Sequence, residues 1–162
     1  MKLLDLVDYF SDFAVENDQL QHVANDDFKV TRDTAFIASD TQENSLDDLV
    51  KISQKEFILI LLPYDKKMLP VQAGAQYWGK NICFLVLKKL PKMPGERAKV
   101  VAKSECEEIG DALVKKMISD RHVDIFTSLN LESFTMEPVG PIGDGRYGNI
   151  YLFTLEDWFN QV

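Results

Sequence analysis

The sequence contains few residues of the kinds that build metal centres, disulfide frameworks or nucleophilic sites. Its only cysteines are Cys83 and Cys106, and its only histidines are His22 and His122. None of them stands in a Cys-x-x-Cys or His-x-x-x-His arrangement, so a zinc ion held by several protein ligands is not indicated. We interpret the histidines as surface or capping residues and the cysteines as small buried apolar groups that form no disulfide.

Motifs for nucleotide binding and acyl transfer are also missing. There is no Gly-Lys-Ser/Thr of a phosphate-binding loop and no Gly-x-Ser-x-Gly elbow. Residues 143–148 match Gly-x-Gly-x-x-Gly, but a strand pattern follows where a dinucleotide fold requires a helix. We interpret them as a hairpin connection in which Asp and Gly supply positive φ. The sequence therefore predicts no catalytic residue, cofactor or metal ligand, and leaves open a triad assembled only in space.

Positive charge and long hydrophobic runs are scarce as well. Lys and Arg number 18 against 26 Asp and Glu, which gives a net charge of -8. Nucleic-acid binding needs a basic face, so we expect no nucleic-acid partner. The longest apolar run, 57–63, is too short to cross a bilayer. The first residues of the chain resemble a signal peptide, but Asp5 and Asp8 interrupt the apolar segment that a signal peptide requires. We expect a cytoplasmic protein with no membrane partner.

What the sequence does contain is an ordinary globular composition. The 162 residues are 46% hydrophobic and 27% charged, close to the averages for folded domains. A chain of this length buries about 70% of the surface that it would expose when unfolded. We therefore predict a single domain that spans residues 1–162.

The first half of the chain predicts two helices and two strands. An amphipathic stripe indicates an opening helix, with apolar residues at Leu3, Val7, Phe10 and Ala14. Residues 17–44 are polar and indicate a loop or a weak hairpin, and Ser45 with Asp48 predicts the cap of a short helix. Residues 57–62 and 81–90 are apolar on both faces, as in central strands. We expect Pro63 to end the first of them.

The second half predicts one long helix and two more strands. After Gly95, apolar residues recur at helical spacing and mark one buried face: Ala102, Cys106, Ile109, Leu113 and Met117. Residues 126–139 and 149–155 read as strands joined by a glycine-rich turn. This order of elements predicts an α+β fold, in which an N-terminal helix and one long helix pack on an antiparallel or mixed sheet of at least four strands.

Large apolar residues stand where burial in the core is least assured. Residues 64–80 are too long for a hairpin turn and read as a loop that holds several of them. Aromatic residues frequently anchor protein–protein contacts, although these could instead close over the ends of the core. The interface candidates are Met68, Tyr77, Trp78, Trp158 and Phe159.

Three carboxylates lie on one side of the long helix. Glu105, Glu108 and Asp111 are three residues apart, so they could hold a divalent cation or act as paired acid and base. A solvated helix face explains the same pattern more simply. We prefer the solvated face, and a deep pocket around the three residues would instead indicate an enzyme.

Three stretches in the C-terminal part resemble a known group of proteins: residues 105–110, 131–133 and 140–148 with the closing apolar strand. They are similar to small proteins of Bacteroidetes-type prophages from tail or neck modules. The order of elements also resembles tail-terminator and tail-completion proteins. The resemblance implies a ring-forming structural protein that has no cofactor and no catalytic residue, and that is incorporated into a virion or tail particle.

We therefore expect a non-enzymatic component of a phage-tail-like assembly. Its partners would be copies of itself and neighbouring tail proteins. An intracellular adaptor or an immunity-type binding protein fits an acidic domain without a cofactor equally well, and a small enzyme with a carboxylate site is the third alternative. Neighbouring genes would separate the first two, because tail genes favour the assembly and a toxin gene favours the immunity protein.

Overall fold

The computed structural model describes most of the chain in five stretches, which are residues 2–38, 46–69, 77–122, 126 and 128–158. For residues 63–69, 77–78 and 157–158 it describes the backbone alone. No helix in these stretches is long and apolar enough to span a membrane.

The described chain contains three α-helices and five β-strands. The helices are α1 (Leu3–Glu16), α2 (Leu46–Ile52) and α3 (Glu96–Ser119), and α3 continues into a short 3-10 turn at Asp120–His122. The strands are β1 (Phe36–Ala38), β2 (Phe57–Leu69), β3 (Tyr77–Lys89), β4 (Leu129–Ile142) and β5 (Arg146–Trp158). They form one sheet in the order β1-β2-β3-β5-β4. Strand β1 is parallel to β2 and the other pairs are antiparallel, so the predicted α+β fold with a mixed sheet is confirmed.

One face of the sheet is covered by α1 and α3. The five residues predicted to line α3 are all buried, which confirms the phase of this helix. A Cβ atom at Gly110 would lie 2.2 Å from the ring of Tyr151, so glycine allows α3 to approach β5 closely. The predicted stripe on α1 is buried at Val7, Phe10 and Ala14, whereas Leu3 remains 43% exposed.

The other face of the sheet is covered by the much shorter α2. Val50 is fully buried there against apolar residues of β2 and β3, including Ile60 and Leu85. The predicted short helix is therefore present, but the capping residue proposed for it, Ser45, lies outside the described residues. The sheet thus separates one large and one small apolar cluster.

The prediction that Pro63 ends its strand is wrong. Strand β2 continues to Leu69, and its register with β3 shifts between Leu62 and Asp65. Two residues of β2 lie in this interval opposite one residue of β3, which is a β-bulge. Proline has no N–H to donate to a neighbouring strand, and a bulge is a position at which that donor is dispensable.

The prediction of a loop over residues 64–80 is wrong at both of its ends. Residues 64–69 belong to β2 and residues 77–80 belong to β3, and 66–69 pair with 77–80. Residues 70–76 of the predicted loop lie outside the described residues. Gly79, which suggested a turn, is a strand residue between Lys67 and Glu156. Pairing on both sides of β3 overrides the local preference of glycine.

The described part of the polar region at 17–44 is irregular, as a loop is, except for one strand, and it forms no hairpin. Only Phe36–Ala38 is extended and paired in its described part, and it runs parallel to residues 59–61 of β2. A parallel strand cannot be recognised from a turn signal, because its partner is distant in the sequence. Residues 39–44 of the predicted region lie outside the described residues.

Strands β4 and β5 form the predicted hairpin around residues 143–145. Gly143 and Gly145 have φ of 61° and 92°, so the two glycines supply the positive φ that the turn requires. Strand β4 is an outer edge of the sheet, and its register with β5 shifts twice, at 130–135 and at 139–142. The Gly-x-Gly-x-x-Gly match therefore has the hairpin role predicted for it, but Asp144 does not adopt the positive φ that was also expected of it.

His22 is buried, so the interpretation as a surface or capping residue is wrong for it. Its ring Nδ1 accepts hydrogen bonds from the backbone N–H groups of Ala35 (3.1 Å) and Phe36 (3.2 Å). Its backbone N–H donates to the carbonyl of Ala14 (3.2 Å). His22 thus links the end of α1, through its backbone, to the start of β1, through its side chain. His122 is exposed in the 3-10 turn, as predicted.

This geometry predicts that acid destabilises the protein through His22. Burial, and secondarily the charge of Lys55, lowers the pKa of His22 below its ordinary value of 6.5. A lowered pKa means that the folded state prefers the neutral ring. The resulting stability is present above the pKa of the unfolded chain and is lost as the pH falls towards the folded pKa. We expect the melting temperature to fall from pH 7 to about pH 5.5.

His22→Asn provides the matched control for this pH dependence. The Oδ1 atom of Asn can occupy the acceptor position of Nδ1, but it does not titrate in this range. The variant should therefore show a flatter dependence of melting temperature on pH over the same interval. Equal slopes in the two proteins would show that other groups cause the acid sensitivity.

Candidate protein-interaction site

Four of the five interface candidates meet at one end of the sheet. We call this the distal end, and it consists of residues 66–69 of β2, 77–80 of β3 and 155–158 of β5. Tyr77 is directly opposite Leu69 on one side and Trp158 on the other. In the next row, Trp78 is opposite Met68. The fifth candidate, Phe159, follows β5 and lies outside the described residues.

Antiparallel pairing explains why residues so distant in sequence come together. Strand β3 pairs with β5 without interruption from Tyr77↔Trp158 to Lys89↔Arg146. Directly opposite residues in such a pair have Cβ atoms about 5 Å apart, so the register places Tyr77 beside Trp158. The backbone of the distal end therefore gathers three aromatic residues and a methionine on three adjacent strands.

The three carboxylates of α3 have different surroundings. Glu105 forms an ion pair with Lys88, which also contacts Glu56 at 3.2 Å. The hydrogen bond that Lys88 donates to Glu105 is the main reason that the pKa of Lys88 is raised. Glu108 and Asp111 are exposed on the helix. Within the described residues, no group of three or more His, Cys, Asp or Glu side chains could hold a metal ion.

Both cysteines are poorly placed to act as nucleophiles. Cys106 is fully buried in the core and donates its S–H to the carbonyl of Tyr147 at 3.7 Å. Burial raises the pKa of Cys106 to about 12 and that of Cys83, which is half-buried on β3, to about 11. The reactive thiolate is therefore scarce at neutral pH at both positions. Cys106 fits the prediction of a buried apolar group, and Cys83 fits it in part.

Arg146 is a buried residue that the sequence did not reveal. Its guanidinium is 0% exposed and donates hydrogen bonds to the carbonyls of Ser53 (3.0 Å), Lys55 (2.9 Å) and Glu56 (3.3 Å). Its Nε lies 3.3 Å from the carboxylate of Asp144. Arg146 thus fastens the segment between α2 and β2 to the start of β5. The only sequence signal was an arginine directly after the glycine-rich turn.

Open cavities lie away from the distal end: a smaller one of about 290 Å³ lies in the segment after α1, and two are larger. One of about 650 Å³ lies between the β3–α3 connection and the β4–β5 turn, and Met93, Lys99 and Tyr147 are among its lining residues. The other, of about 490 Å³, lies between α1 and the segment that follows it, and three aspartates line it. Neither is lined by Glu105, Glu108 or Asp111.

The chain matched nothing in comparisons with protein-family models, with curated proteins and with solved structures. The resemblance to tail and neck proteins therefore remains a prediction from the residues that suggested it.

Proposed function

We propose that this chain is a structural, non-enzymatic subunit of a phage-tail-like assembly, of the tail-terminator, tail-completion or neck type. Its activity would be to bind copies of itself and a neighbouring tail protein. The observation that supports this proposal best is the distal end, where pairing of three strands gathers Met68, Tyr77, Trp78 and Trp158. Tyr77 and Trp158 form one row and Trp78 and Met68 the next, so the two rows belong to opposite faces of the sheet. Aromatic residues are frequent anchors of protein interfaces.

The arrangement of the covering helices also favours an interface on the sheet. Part of the face beside α2 carries apolar residues that are not fully covered. Leu62 and Cys83 are half-buried there, and Leu152, which is directly opposite Cys83, is 38% exposed. An incompletely covered apolar face suits a protein that gains contacts when it assembles.

The proposal predicts that the distal end is needed for association rather than for folding. Replacing Tyr77 and Trp78 together by Ala should leave the melting curve of the monomer nearly unchanged and weaken association. Loss of the larger species in light scattering, or loss of tail assembly in a phage, would show this. The reason is that interface anchors contribute chiefly to binding, and few residues dominate it.

Asn81→Ala with Thr154→Ala is the matched control for this experiment. These residues lie on the same strands, and Thr154 Oγ1 donates to Asn81 Oδ1 across the β3–β5 pair at 3.1 Å. The control should associate as the unmodified protein does. Collapse of the Tyr77/Trp78 variant, with unchanged association of whatever remains folded, would place both residues in the core and contradict the proposal.

A further inference from the structure

Charge is distributed very unevenly along this chain. The whole chain has a net charge of -8. Its segment from Lys2 to Phe28 contains seven acidic residues and one lysine. Between Lys88 and Lys103 there are six basic residues and one acidic residue, Glu96. Lys88, Lys89 and Lys99 of the second stretch are paired with carboxylates, so its available positive charge includes that of Lys92 and Arg97.

The acidic stretch lines a groove that also contains apolar side chains. We call the 490 Å³ cavity beside α1 the acidic groove, and its rim carries Asp8 and Asp12 of α1 and Asp26 of the following segment. Phe28 lines it as well, together with Leu4, which is 59% exposed. None of its lining residues is basic. The groove therefore suits an occupant that brings both positive charge and an apolar side chain.

The backbone wall of the acidic groove is fixed by local hydrogen bonds. Asn25 exchanges two of them with the backbone of Lys29, at 2.8 Å and 3.0 Å. The N–H of Phe28 donates to the carbonyl of Asn25 at 3.2 Å. A groove with a fixed wall loses little conformational freedom when it binds.

The basic stretch presents charged and apolar residues at the surface, and part of it borders the 650 Å³ cavity. We define the basic ridge as residues 92–101, at the β3–α3 connection and the first turns of α3. Met93 is 96% exposed at the connection, and Val100 is 64% exposed on α3 beside Arg97. Lys92 and Arg97 are exposed and make no ion pair with the described part of the chain. The ridge thus presents positive charge that complements the aspartates of the acidic groove, and apolar side chains that can contact those of the groove.

The basic ridge and the acidic groove lie far apart on one molecule. Tyr9 of α1 donates a hydrogen bond to Asp120, and Lys116 lies 5.4 Å from the centre of its ring, so α1 meets the C-terminal end of α3. Arg97 is 19 residues before Lys116, which is about 28 Å along a helix. The ridge therefore does not neutralise the groove of its own chain.

We infer that the basic ridge of one copy docks in the acidic groove of a second copy. This inference rests on the proposed self-association and names surfaces that mediate it. Because the two surfaces differ, each copy uses both of them and the contact is head-to-tail, which produces a ring when the rotation closes and a filament when it does not. Complementary charges would set the orientation of the copies and make association sensitive to salt.

Charge reversal tests this inference directly. Asp8→Lys with Asp12→Lys reverses the groove, and Lys92→Glu with Arg97→Glu reverses the ridge. All four residues are exposed, so both variants should fold with unchanged circular dichroism. Each variant alone should associate at least about tenfold more weakly than the unmodified protein in sedimentation at low salt. An equimolar mixture of the two should recover association, because every groove then finds a ridge of opposite charge.

Glu108→Lys with Asp111→Lys is the matched control. It changes the net charge by the same amount as the groove variant, but at exposed positions of α3 outside both surfaces. It should associate as the unmodified protein does. Association of the unmodified protein should also decrease when salt is raised, because the contacts lie at the surface.

Three results would overturn the inference: an unmodified protein that is monomeric at low salt in the upper micromolar range, reversed variants that still associate, or a mixture that recovers nothing. The proposed function is judged separately through the Tyr77/Trp78 variant. If that variant loses association while the charge variants keep it, the assembly role stands and the ridge-and-groove contact is wrong.

Discussion

Leu113→Asp is expected to abolish soluble expression of the protein. Leu113 is fully buried on the face of α3 that packs against the sheet, in the same cluster as Met117 and Phe153. An ionised carboxylate among these apolar side chains costs several kcal/mol, and the total stability of a domain is about 5–15 kcal/mol. The soluble fraction after expression, compared with that of the unmodified protein, measures the effect.

Two further variants distinguish burial from a general intolerance of α3 to change. Ala112→Asp places the same carboxylate at the preceding, exposed position, and this protein should remain soluble. Leu113→Ala should fold but lose about 2–5 kcal/mol in urea unfolding, because it leaves a cavity without a charge. A soluble Leu113→Asp protein that melts cooperatively would show that the buried face of α3 is assigned wrongly.

Arg146→Met should destabilise the protein by about 3–5 kcal/mol, the usual effect of removing one partner from a buried ionic cluster. The carbonyls of Ser53, Lys55 and Glu56 would lose their donor. Asp144 would lose its ion pair with the buried guanidinium. Met fills a similar volume, so the loss reports on polar contacts rather than on a cavity. Urea unfolding at neutral pH measures it.

Lys89→Met is the control for the arginine. Lys89 also contacts the carboxylate of Asp144, at 2.6 Å, but its side chain is 42% exposed. An exposed ion pair contributes about 0–1 kcal/mol, so this variant should be close to the unmodified protein. Arg146→Lys should be intermediate, since an ammonium retains the charge but lacks the planar fork of five donors. Equal losses for Arg146→Met and Lys89→Met would contradict the structural role assigned to Arg146.

Much of the fold could be predicted because its signals are local. The spacing of Ala102, Cys106 and Ile109 is enough to identify the buried face of α3, and the apolar run at 57–62 is enough to place a central strand. The predictions that failed concern strands whose partners are distant in the sequence. The continuation of β2 through Pro63 depends on a bulge opposite β3, and β1 depends on a parallel neighbour.

Buried polar residues were missed for a related reason. His22 and Arg146 are of types that usually lie at the surface, and each is buried because backbone groups from another segment satisfy it. Sequence periodicity carries no information about such partners. The candidate site was predicted in part, because Tyr77 and Trp158 were chosen for their type and only the register of β3 with β5 shows that they are neighbours.

The outer strands of the sheet affect whether copies of the protein can pair edge to edge at high concentration. Strand β1 is three residues long, and β4 is longer but has two register shifts. Pro138 and Pro141 of β4 also have no amide proton to offer to an incoming strand. Long, regular edges are what amyloid-like stacking requires, and irregular edges with proline discourage it. The β4 edge is therefore poorly suited to growth by strand addition, so copies packed side by side at high local concentration would not form fibrils through this edge.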